Sequence, residues 1–104
     1  MDSKEFIYAS FTELSQLIDK QKISPVELTQ AYLNRIASLD DSLHAFITVD
    51  AEGALRAARI AESEIREGRR IGPLHGIPMA VKDQMDAKGL PTTGGSSILN
   101  AIAK

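Results

Sequence analysis

A chain of 104 residues with 43% apolar and 25% charged side chains has the profile of one globular domain at most, which argues against global disorder. A net charge of −2, with Lys and Arg scattered among Asp and Glu, leaves no basic stripe of the kind that nucleic acid requires, and the lack of cysteine removes disulfides, thiolate metal sites and cysteine nucleophiles. The polar start Met1-Asp2-Ser3-Lys4-Glu5 is unlike a signal peptide and no apolar run approaches the roughly 18 residues of a membrane span, so the expected setting is the cytoplasm, away from membranes.

Residues 10–39 are predicted to form a helical hairpin. Ser10-Phe11-Thr12-Glu13 fits a capping box, in which the serine hydroxyl and the glutamate carboxylate satisfy backbone donors that the first turn leaves free, and Leu14, Leu17 and Ile18 follow at helical spacing. A second box, Ser24-Pro25-Val26-Glu27, opens a helix expected to run from about Pro25 to Leu39, since proline suits the first helical position. Leu28, Tyr32, Ile36 and Leu39 share one face of it, flanked by Leu33 and Val26, and this face reads as core. Asp40-Asp41-Ser42 reads as a turn, and His44 to Val49 as a short extended segment. Asp50 is placed to cap a helix over 51–67, which sets Ala54, Leu55, Ala58, Ala61 and Ile65 on one side, its charges on a solvated face, and ends at Gly68.

Residues Gly72 to Gly95 hold five of the seven glycines and three of the four prolines, wrapped around Ile77-Pro78-Met79-Ala80-Val81-Lys82. That run is apolar on both sides of the chain and bounded by turn residues, which predicts a core strand over 77–82, covered on both faces. Residues 83–97 read as loop and 97–104 as the start of a fourth helix, Ser96 or Ser97 capping it. A strand buried on both faces needs more neighbours than the segment near 44–49 can supply, and a two-turn helix is marginal unless packed. The expectation is an incomplete α/β unit of about three helices, one or two short strands and the start of a further helix, belonging to a larger fold.

Gly72-Pro73-Leu74-His75-Gly76-Ile77-Pro78, then Val81-Lys82-Asp83, then Gly89-Leu90-Pro91-Thr92-Thr93-Gly94-Gly95-Ser96 resembles the N-terminal segment of the amidase signature family, as does the Ser24-Pro25-Val26-Glu27-Leu28 helix start. The resemblance implies an α/β/α fold with a mixed sheet, hydrolysis or transfer of amide nitrogen, and a Ser, cis-Ser, Lys triad without cofactor or metal. Lys82 stands at the position of the catalytic lysine. An amine with a reference pKa of about 10.4 becomes a base near neutral pH when burial lowers that value by roughly 3 to 5 units, which is why a dry strand end suits the role. In the family scheme the neutral amine takes a proton from the middle serine, which activates the nucleophilic serine.

Other polar residues in this stretch receive structural readings. A lysine after an apolar run is most often the first solvated residue, and only the surrounding string raises Lys82 above that reading. Asp83 is expected to face away from Lys82 and to serve a hydrogen-bonding role. His75, in a turn, reads as a packed or hydrogen-bonded loop residue, and with His44 in an unrelated segment the two histidines make no convincing metal site. Gly94-Gly95-Ser96-Ser97 looks like the family's serine-bearing strip, but Ile98 and Leu99 follow where further glycines are expected. Both triad serines are therefore expected outside the 104 residues, leaving the chain inactive alone, as a fragment, a truncated product or one piece of a split enzyme. Its implied partners are a small amide substrate and the remainder of the fold, with substrate-binding residues undetermined. The alternative is a non-catalytic assembly module pairing, for instance as a homodimer, through Leu28, Tyr32 and Ile36.

Overall fold

Helices in this protein begin where a side-chain oxygen can satisfy the backbone donors of a first turn. In the computed structural model, which describes residues 3–83, 85, 87–92, 101 and 102, Ser10 accepts from the Glu13 amide at 3.2 Å and starts α2 (Phe11–Asp19). Ser24 accepts from the Glu27 amide at 3.0 Å ahead of α3 (Pro25–Leu43), and Asp50 from the Gly53 amide at 3.0 Å ahead of α4 (Ala51–Arg66). The ends are equally specific. Past α4, Gly68 at φ +79° donates to the Ile65 carbonyl while Arg69 reaches Glu64, and past α2 Gln21 makes the same reversal at φ +55° with Lys22 reaching Leu17. The polar N-terminus, from which no element is expected, folds as α1 (Ser3–Tyr8) because Phe6 is drawn into the core, only 3% exposed.

Helix α3 is the central element, packed against both α4 and α1. The core gathers Phe6, Leu14, Ile18, Ile23, Leu28, Ala31 and Ile65, with Leu17, Tyr32 and Ile77 against its edge. The Tyr32 hydroxyl donates to the Phe6 carbonyl at 3.1 Å, so α1 is tied to α3 by a hydrogen bond as well as by apolar contact. This placement takes Leu28 and part of Tyr32 out of the face considered for assembly, while Ile36 stays half-buried. Leu28 is fully buried and Tyr32 is committed to α1.

Four segments depart from the sequence expectation. Helix α3 continues through Asp40-Asp41-Ser42 to Leu43, because a helix-compatible backbone there leaves the Asp40 carboxylate free to serve the next turn. Its Oδ1 accepts from the amides of Ala45 and Phe46 at 2.7 and 3.0 Å, and His44 at φ +51° ends the helix. Residues 77–82 run without strand pairing among the described residues, and Met79 to Lys82 are exposed. A strand forms only against a partner, and none lies alongside among those residues. The loop expected over 83–97 contains β1 (Pro91–Thr92), paired antiparallel with β2 (Ala101–Ile102) where helix is expected. Short apolar runs are ambiguous between strand and helix, and an available edge decides. The rest of the expected 97–104 helix, with Ser96 and Ser97, lies outside the described residues. The described part is therefore mainly helical.

Candidate functional site

The glycine- and proline-rich stretch that follows α4 is held in place from three sides. On the α2 side, Ser15 donates to the Pro73 carbonyl at 3.0 Å, and the Arg70 guanidinium donates to Ser15 Oγ at 2.9 Å and to the same carbonyl at 3.1 Å. Arg70 also lies 3.4 Å from Asp19, whose carboxylate is exposed and adds little. On the α4 side, His75 Nδ1 accepts from the Ile71 amide at 3.1 Å while Nε2 lies 3.6 Å from Glu64 Oε1. An acceptor at Nδ1 places the proton of the neutral ring on Nε2, facing the carboxylate. His75 is thus a hydrogen-bonded loop residue. At the start of α3, Gly76 at φ +94° passes so close that a Cβ would meet Pro25 Cγ at 2.9 Å and Ile65 Cδ1 at 3.2 Å, so both conformation and space call for glycine.

Six residues beyond Gly76, Lys82 opens a turn closed by the Met85 amide on the Lys82 carbonyl at 2.9 Å. It sits at an open cleft of about 380 Å³ between two extended pieces of chain, 45–48 and 80–83, with Met85 and Leu90 further along. The frame is apolar. Lys82 and Asp83 are its titratable side chains and Thr48 contributes a hydroxyl. Lys82 is exposed, contrary to the expected dry strand end, because the described segment that carries it has no sheet neighbours to exclude water. Asp83 is half-buried. The cleft walls carry unusual apolar exposure, with Ile47 at 65%, Val81 at 47% and Met85 at 62%.

His44 caps α3 and is remote in role from His75, and among the described residues no group of three His, Asp or Glu side chains could hold a metal ion. No helix among them is long and apolar enough to cross a membrane. The clamp made by Ser15 and Arg70 has no signature in the sequence, where Ser15 is one more polar position on a helix and its partners lie 55 and 58 residues away.

The family model described as Amidase matches residues 27–104, three quarters of the chain. The chain belongs to the amidase family. It is 52% identical over 90 residues to a glutamyl-tRNA(Gln) amidotransferase subunit from Salinispora tropica, covering 86% of this chain and 18% of that protein. The corresponding protein of Aromatoleum aromaticum is 54% identical over 93 residues, covering 89% and 19%. In structure it is similar to the native peptide amidase of Stenotrophomonas maltophilia, with a TM-score of 0.84 at 35% identity over 92% of this chain and 20% of that one. This amidase chain therefore spans about a fifth of the length of the relatives it matches.

Proposed function

We propose that this chain supplies the N-terminal, lysine-bearing segment of an enzyme that breaks amide carbon–nitrogen bonds by a Ser, cis-Ser, Lys mechanism. The observation that carries the reading is the family match across 27–104, a stretch that includes Lys82 and the cleft beside it. In this mechanism the neutral Lys82 amine accepts the proton of the middle serine as that serine takes the proton of the nucleophile. The nucleophile's oxygen bonds to the amide carbon, the carbon–nitrogen bond breaks, and the proton passes to the departing nitrogen. Water then releases the acyl group. Both serines belong to parts of the fold beyond these residues, and so do the sheet strands that would flank 77–82 in an α/β/α architecture. The exposed apolar walls of the cleft support this reading, since they are the surface such strands would cover and thereby dry the amine.

The names of its relatives, glutamyl-tRNA(Gln) amidotransferase at 40 to 54% identity and peptide amidase at 35%, support chemistry at amide nitrogen, and glutamine and simple amides are the substrates to try. The interaction-module alternative is weakened, since Leu28 of its face is buried in the core and Tyr32 is bonded to α1. The test is complementation. Joined to or mixed with the C-terminal remainder of the Salinispora tropica protein, the chain should release ammonia from glutamine and simple amides, whereas alone it should release none. No ammonia from a folded, complemented protein would overturn the proposal.

A further inference from the structure

Between Pro78 and Val81 no hydrogen bond joins the chain to the helices among the described residues. Pro78 and Met79 border α3 and α4 only across a cleft lined by Thr29, Ala54, Ala57 and Ala58, so the hydrogen bonds that direct the approach to Lys82 from its N-terminal side are those at 70–77. That stretch is over-determined. Pro73 offers one carbonyl to two donors, the Ile71 amide is bound to His75 Nδ1, and Gly76 is wedged between Pro25 and Ile65. Arg70 is 16% exposed and keeps its Nε buried without a partner among the described residues, a desolvation cost that a merely solubilising arginine would avoid. Three of the other four N–H groups go to Ser15, Asp19 and Pro73, bridging α2 to the loop.

We infer that Arg70 and His75 are positioning residues that lock the 70–77 loop onto α2 and α4 and so set the path of the segment bearing Lys82. The function of this lock rests on the role proposed for Lys82, but its geometry does not. In His75 the operative atom is Nδ1, the acceptor for Ile71, and asparagine can offer an oxygen in nearly the same place, whereas leucine cannot.

Amide hydrogen exchange and ¹⁵N heteronuclear NOEs on the 104-residue chain test the lock. In Arg70→Met and His75→Leu, protection of the Ile71 and Ile77 amides should fall about tenfold and the NOEs of 79–82 should drop, while α3 and α4 keep their protection. His75→Asn should retain the protection of Ile71. If Arg70→Met does not fold, the His75 pair decides. Loop protection lost with the NOEs of 79–82 unchanged, or His75→Asn behaving as His75→Leu, would overturn the inference. In the complemented enzyme His75→Leu should lower kcat about tenfold at unchanged KM, with His75→Asn restoring it. A complemented wild type without activity would count against the proposed function alone, and exchange would still decide the lock.

Discussion

Gly76 shows how a single missing atom can hold the approach to the site together. Alanine there would need a left-handed backbone and would press on Pro25 and Ile65, which are both buried. Gly76→Ala should cost ~1–3 kcal/mol, read as a lower urea midpoint at unchanged slope. Tyr32 makes a different test. Burial raises its phenol above the usual value of 10.0, so near and above that pH the folded chain holds a proton that the unfolded chain releases. The stability this provides is complete below the ordinary phenol range and is lost as pH rises through the raised value. Tyr32→Phe should cost about 1 kcal/mol at neutral pH through the bond to Phe6, and the gap to wild type should narrow as the wild type loses stability at alkaline pH. A gap that widens with pH would contradict the assignment.

Elements are legible where their signals are local. Ser10, Ser24 and Asp50 each act on an amide three residues ahead, and a pattern that short is visible in the sequence. Gly68 stops α4 for an equally local reason. Asp40 shows the limit, for its turn-forming chemistry is real but is exercised from inside the last turn of α3. Asp40→Ala should raise exchange of the Ala45 and Phe46 amides about five- to tenfold while moving the global midpoint by less than ~1 kcal/mol, since those exposed donors can turn to water. Strands are harder to place. Whether 77–82 or 101–102 pairs depends on which edge is alongside, and that information lies outside the segment.

At the scale of the whole molecule, the motif around Lys82 points to the family, whereas its physical surroundings cannot be read from it. The clamp from Ser15 and Arg70 spans more than half the chain, and the cleft joins two segments about 35 residues apart, which no periodicity records. An apolar run alone predicts a solvated lysine at its end, and only the family resemblance predicts a buried Lys82. The structure instead leaves the amine exposed beside Val81 and Met85, a margin that the remainder of an amidase fold would cover and dry under the proposed function.

The most direct measurement compares wild type and Lys82→Ala in the complemented protein, with ammonia release from glutamine followed under saturating substrate. If Lys82 is the proton acceptor, kcat falls by roughly 10²–10⁴-fold, as for loss of a proton-transfer group, while the two proteins unfold at the same urea midpoint. Equal rates in the two proteins would show that residue 82 carries no proton, and the proposed mechanism would be wrong.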